Sequence, residues 1–224
     1  MAAMKQPVAP SPAFELGCTR CARLAAHLCQ VRVAHPTYHA RPVPPFGDAA
    51  ARLLVVGLAP GLHGANASGR PFTGDHAGIL LYATLHRFGF ASAAQSRSAN
   101  DGLLLRDCRI NNAVKCLPPA NKPTPAEVRT CNDYLAVDLT RPPGPSVVIA
   151  LGHIAHGAVV RALGLRAASH RFAHGACHEL SAGPRWLLDA YHCSRYNTQT
   201  RRLTTPMFEA VFARAAQLLA QSAA

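Results

Sequence analysis

Short apolar runs of strand length recur along the chain at 52–58, 108–114, 146–151 and 186–191, and amphipathic stretches of helix length lie between and around them. The helical stretches cover 21–33, 78–88, 125–138, 154–163 and 206–221, with Pro125 and Pro206 in positions suited to a first helical turn. Strand-length runs alternating with helices are the βα rhythm of a parallel sheet covered on both faces. The expected fold is therefore α/β, a three-layer α/β/α sandwich around a central four-stranded parallel sheet.

Length agrees with one folding unit, since 224 residues is a size that α/β folds commonly use as one domain. Residues 1–14, rich in Ala and Pro, are expected to form a flexible tail, and 15–224 a single domain. Proline-rich punctuation at 42–45, 118–125 and 142–145 marks connections, and no repeat is visible. No apolar stretch approaches the ~20 residues that span a bilayer, and the N-terminus lacks the apolar core of an export signal. A cytoplasmic monomer is the expectation.

Charge narrows the choice of partner. The chain carries 23 Lys and Arg against 11 Asp and Glu, a formal charge of +12. Lys5, Lys115 and Lys122 are the lysines, so nearly all of the cations are arginines, whose planar fork suits bidentate phosphate contact. An arginine bias inherited from genome composition would look the same, but the balance favours a nucleic-acid partner.

Eight cysteines without an export signal point to metal ligation or buried thiols rather than disulfides. Cys18 and Cys21 form a CxxC at the opening of the first helix, and Cys116 and Cys131 flank a proline-rich loop. Four such thiolates suit either an iron–sulfur cluster or a structural zinc, and spacing alone leaves both open. Cys29, Cys108, Cys177 and Cys193 lack paired spacing and read as small core residues. His170, His174 and His178 have helical spacing, but Gly175 argues against a helix that would carry them as a metal triad.

Two loops follow strands directly. The first run passes into Gly57-Leu58-Ala59-Pro60-Gly61 and on to Gly69-Arg70-Pro71-Phe72-Thr73-Gly74-Asp75. Glycines beside polar side chains at a strand's carboxyl end are where open α/β sheets build ligand sites. The loop fits neither a dinucleotide fingerprint nor a P-loop, which removes a nucleotide cofactor. The last run ends in Tyr191-His192-Cys193-Ser194-Arg195-Tyr196-Asn197-Thr198, with Arg201 and Arg202 beyond it, a histidine beside donors suited to phosphate. No GxSxG nucleophile motif is present for a hydrolase of that type.

Together, GLAPGLHGANASGRPFTGD, INNAVKCLPPANKPTP and YHCSRYNTQTRRLT resemble the motifs of the family 5 uracil-DNA glycosylases in residues, order and spacing, from about Leu16 to Leu219. Leu58, where the related family 4 enzymes carry an acid, and Asp75 after Gly74 favour family 5. The resemblance implies the α/β/α sandwich already read from the pattern, and a structural [4Fe–4S] cluster on Cys18, Cys21, Cys116 and Cys131. It implies excision of uracil and some other deaminated bases from DNA, leaving an abasic site without strand cleavage. The chain departs from the family pattern in carrying Ala67 for a common Arg, His76 for a small residue and Arg201 for a Gly. These departures bear on phosphate clamping and base selectivity.

The residues support a mechanism of that kind. Gly57, Ala59 and Gly61 are candidates to line a base pocket, Phe72 to stack on an extruded base and Asn112 to read one edge of uracil. His192 can stabilise the negative charge on the departing base, and Asp75 the positive charge on the sugar or the attacking water. Lys115 and Lys122 lie beside the proposed cluster, which makes a Schiff base improbable. The resemblance sets Arg195, Tyr196, Arg201 and Arg202 against DNA, with Tyr196 or Leu203 filling the gap that the base leaves. The alternatives are a non-catalytic, metal-containing nucleic-acid-binding module and a glycosylase of the family 4 kind.

Overall fold

The computed structural model describes residues 14–221. The proposed tail lies outside these residues except at its last position, where Phe14 meets the Tyr134 ring edge-on at 5.6 Å and so belongs with the folded part. The described elements are α1 (Ala22–Ala34), β1 (Phe46–Gly47), β2 (Leu53–Gly57), α2 (Ala65–Ser68), α3 (His76–Arg87), β3 (Cys108–Asn112), α4 (Pro125–Thr140), β4 (Val147–Leu151), α5 (His153–Ala162), β5 (Cys177–Glu179), β6 (Trp186–Ala190), α6 (Arg195–Gln199) and α7 (Thr205–Gln221).

The sheet runs β1-β3-β2-β4-β6-β5. Its four central strands are parallel and coincide with the four apolar runs, while β1 and β5 pair antiparallel at the two edges. The expected four-stranded sheet is thus the core of a six-stranded one. The additions escape a pattern reading because Phe46–Gly47 and Cys177–Glu179 are too short to show alternation.

β2 and β4 are buried along their whole length, as strands covered on both faces must be. Alternate residues then serve opposite cores. Leu53, Val55, Val147 and Ile149 pack with α3 and α7, whereas Leu54, Val56, Val148 and Ala150 pack with α4 and α5. A third cluster joins α1 to Val114, Cys116, Leu117, Cys131 and Tyr134. The chain leaves β2 toward β3 on one side and then crosses back to β4 on the other. That reversal at the carboxyl end of β2 is where a doubly wound sheet opens a ligand crevice.

Among the described residues no helix is long and apolar enough to cross a membrane.

Candidate active site and metal centre

A cleft of about 460 Å³ opens at that reversal, lined by Leu58, Ala59, Gly61, Phe72, Asp75, His76, Ala77, Asn112, Asn121, His192, Ser194 and Arg195. The ends of β2, β3 and β6 therefore deliver three separate sequence motifs to one space. Gly57 lies just behind the wall. A Cβ there would come within 2.4 Å of the Asn112 Oδ1 and 2.6 Å of the Phe72 ring, so only glycine lets both approach the strand end.

Phe72 has a left-handed backbone (φ 56°), and its ring lies against that of His192 at 6.0 Å and 29°. Its carbonyl packs so closely on the first turn of α3 that a Cβ on Gly78 would collide with it at 1.8 Å. Arg70 anchors the same loop from below. Its buried guanidinium pairs with Asp101 at 2.6 Å and also donates to Ser96 and the Ala99 carbonyl.

Asp75 is the N-cap of α3, with Oδ1 accepting from the Gly78 N–H at 2.8 Å. Burial raises its pKa, and the Gly78 N–H and neighbouring His76 oppose that rise. Burial drives His192 the other way, down to about 4, so its imidazole is neutral at pH 7. Asn112 is 3 % exposed and its Oδ1 has no hydrogen-bond partner. A buried amide oxygen left open beside a cleft awaits a donor from a ligand.

Several members of the site were not singled out for the cleft on sequence. Asn121 reaches it from the proline-rich loop with a left-handed backbone (φ 56°), and Ser194 caps α6. His76 lines the cleft and its Nε2 meets the Thr198 Oγ1 at 3.0 Å, joining α3 to α6. Lys115 is 1 % exposed, and burial lowers its pKa to about 8. Its Nζ donates to the Asn112 carbonyl at 2.7 Å and to the Asn111 side chain, which fixes the end of β3 from behind. The spacing of Asn111, Asn112 and Lys115 was the available signal, but an apolar neighbourhood hid it.

The proposed DNA-facing residues divide. Arg195 lines the cleft and Tyr196 is 69 % exposed on α6. Arg201 and Arg202 are exposed outside the cleft, and the Arg202 guanidinium lies over the Tyr191 ring at 4.7 Å. Leu203 is 1 % exposed in the main core, so it is not available as a wedge, because the turn after α6 directs it inward. Arg201 occupies a left-handed position (φ 57°), a backbone conformation that favours glycine.

Cys18, Cys21, Cys116 and Cys131 converge on a second, small cleft between α1 and α4, and none is in a disulfide. Tyr134 donates its hydroxyl to the Cys18 Sγ at 3.2 Å, and the Lys115 N–H points to the Cys131 Sγ at 3.3 Å. Four cysteine thiols gathered at one cleft without a disulfide are the donor set that an iron–sulfur cluster or a structural zinc takes, and donors to sulfur are contacts that tune a cluster. Of the other cysteines, Cys108 and Cys193 are buried as expected, but Cys29 and Cys177 are exposed. Cys29 lies on the outer face of α1 and Cys177 on the short edge strand β5, where neither meets a core.

Comparison with known proteins agrees with this geometry. The family model for the uracil DNA glycosylase superfamily matches residues 44–216. A type-5 uracil-DNA glycosylase of Thermus thermophilus is 50% identical over 181 residues, 81% of this chain and 82% of the relative. One from Mycobacterium tuberculosis is 42% identical over 209 residues, 90% of this chain and 78% of the relative. A type-4 enzyme of Archaeoglobus fulgidus matches at 39%, but over only 50% of this chain and 49% of its own. The near full-length matches decide between the two kinds, and this chain belongs to the uracil DNA glycosylase superfamily, among its type-5 members.

Proposed function

We propose that the protein hydrolyses the N-glycosidic bond of uracil in DNA, releasing the free base and leaving an abasic site in an uncut strand. The observation that carries the reading is one cleft holding Asp75, His192, Phe72 and Asn112, the last with an unpaired buried acceptor.

The nucleotide must first leave the stack, at a cost of a few kcal/mol that a mispaired uracil lowers. Phe72 offers an aromatic face to the extruded ring, and the Asn112 Oδ1 accepts from uracil N3–H while its amide donates to a neighbouring carbonyl. As the bond breaks, its electron pair departs with the base and positive charge grows on the sugar. His192, neutral at pH 7, donates a hydrogen bond to the oxygen of the leaving base, assisted by backbone N–H groups around Ala59 and Gly61. The free Oδ2 of Asp75 faces the cationic sugar and orients the water, taking its proton as oxygen bonds to the sugar. Lys115 is enclosed and directed at carbonyl oxygens, so it is not available as an amine nucleophile for strand cleavage. The same donor and acceptor arrangement extends to other deaminated bases that share a carbonyl beside a ring N–H.

The four thiols fit a [4Fe–4S] cluster, which would supply cross-linking of α1 to α4 and the loop behind β3. Arg195, Arg201 and Arg202 hold the DNA backbone and Tyr196 fills the vacated stack.

Incubating the protein with a duplex carrying one uracil tests the reading. Free uracil and a strand that breaks only after alkali are expected. Binding without base release would leave a nucleic-acid-binding module in its place.

A further inference from the structure

Behind the catalytic face, between α5 and the edge of the sheet, lies a second group of chemically active side chains that the reaction does not use. Asp189 of β6 is fully buried. One carboxylate oxygen faces the His156 Nδ1 at 2.7 Å, and the other faces the His178 Nε2 at 3.2 Å. These three ligand atoms all lie within 4.8 Å of one another. A third imidazole adjoins them, with the His170 ring 5.7 Å from that of His178.

The hydrogen bonds behind these rings decide what the group can do. The His156 Nε2 meets the His170 carbonyl at 2.8 Å, and the His170 Nδ1 meets the Arg166 carbonyl at 3.1 Å. A carbonyl only accepts, so each of those nitrogens carries the ring proton. In a neutral ring that leaves the His156 Nδ1 and the His170 Nε2 as lone pairs. A backbone carbonyl holding the far N–H is the outer contact that metal-binding histidines have. The Ala173 N–H steadies the Asp189 carboxylate at 3.4 Å in the same way. An open cleft of about 650 Å³, lined in part by His156 and His170, provides a path inward.

We propose that His156, His178 and Asp189, with His170 as the fourth ligand, form a binding site for a divalent transition metal ion, with zinc as the best match. Three imidazoles and one carboxylate are a nitrogen-rich, borderline donor set of the kind zinc takes in tetrahedral geometry. Bonds of about 2.0–2.1 Å place tetrahedral ligand atoms about 3.3 Å apart. The His156 Nδ1 and the Asp189 Oδ1 need to open by about half an ångström from 2.7 Å, and the His178 Nε2, now facing the other carboxylate oxygen at 3.2 Å, needs only a small shift to join them on one ion. The ion replaces the proton now shared between His156 and Asp189, which is released. It would pin the 170–178 segment to α5 and β6. Within that segment His174 stacks on Tyr191 at 4.9 Å, immediately before His192, so the metal braces the catalytic strand end without touching substrate.

The test uses the purified protein with its iron retained, treated with chelator at the zinc level and then titrated with zinc sulfate. Bound zinc and iron are counted by elemental analysis, and the thermal midpoint is followed. One zinc per chain is expected, with a rise in the thermal midpoint. His178→Gln, on the partly open side of the group, and His170→Gln, at its rim, should weaken zinc binding on the order of tenfold or more while iron stays constant. Cys177→Ser should leave zinc binding unchanged, because successive strand residues face opposite sides. Equal zinc uptake and equal stabilisation in the wild type and both histidine variants would overturn the site. So would no uptake by the wild type, which would leave an imidazolium of His156 hydrogen-bonded to Asp189 and to the His170 carbonyl.

Discussion

Asp75 divides its carboxylate between two tasks. Oδ1 caps α3 through Gly78, while Oδ2 lies close to the Gly64 backbone, where a Cβ would come within 2.7 Å of it. The cap fixes the side chain's direction before any substrate arrives, and preorganisation of that kind is what an electrostatic catalyst needs. His192 is set by its surroundings rather than by a partner. Its pKa of about 4 in the folded chain lies below the ordinary histidine value of 6.5, so the unfolded chain takes up the proton first as pH falls. The stabilisation from keeping it neutral is complete above about 6.5 and is lost progressively as pH falls toward 4. Urea unfolding at pH 7 and pH 5 should show a smaller loss of stability in His192→Ala than in the wild type. An equal loss would place the titrating group elsewhere. At this scale Asn112 and His192 stood out as cleft candidates because each sits at the end of an apolar run, and Phe72 and Asp75 because they belong to the glycine-rich loop that follows β2. His76 and Asn121 were not legible, since their part depends on contacts across the fold with Thr198 and the cleft wall, and Lys115 was not because its contact with Asn111, only four residues away, is enclosed in an apolar run.

Among the elements, those with a local signal were legible to within about two residues. Thr124, Pro125 and Glu127 spell a capping box with proline in the first turn, and α4 begins there with both box hydrogen bonds formed. The short α2 and α6 carry no such periodicity and were missed. The turn after α6 shows a conflict between local backbone and surface charge, because Arg201 sits at φ 57°. A left-handed residue costs about 1–2 kcal/mol and glycine's extra chain entropy about 0.5–1. Arg201→Gly should therefore raise stability by roughly 0.5–1 kcal/mol in a denaturant titration. If Arg201 holds a phosphate, the same variant should reduce the salt dependence of DNA binding by about one unit of slope. An unchanged slope would show the arginine to be free surface charge.

On the scale of the whole molecule, the sheet places chemistry at one end and the cysteine cleft to the side. Residues as far apart as Cys18 and Cys131 close that cleft, joining α1 and its loop to the β3–α4 connection. Ligand loss there removes energy that also folds the chain. The purified protein should be brown and carry about four iron and four sulfide per chain, and Cys116→Ser should lose both colour and thermal stability. Cys29→Ser, on the exposed face of α1, should keep them. A colourless, iron-free protein that folds normally would contradict the cluster. The CxxC pair was legible as two neighbouring thiols, but its convergence with Cys116 and Cys131 is a tertiary fact that spacing alone could not establish.

The central claim is that Asp75 acts in the chemistry and not in binding or folding. Asparagine caps a helix about as well as aspartate, so Asp75→Asn keeps α3 intact while removing the charge. The direct measurement is single-turnover release of uracil from a duplex by this variant and the wild type, with DNA affinity measured alongside. The account predicts a rate lower by about 10²- to 10³-fold at unchanged affinity. Release at the wild-type rate, or a loss explained wholly by weaker binding, would contradict it.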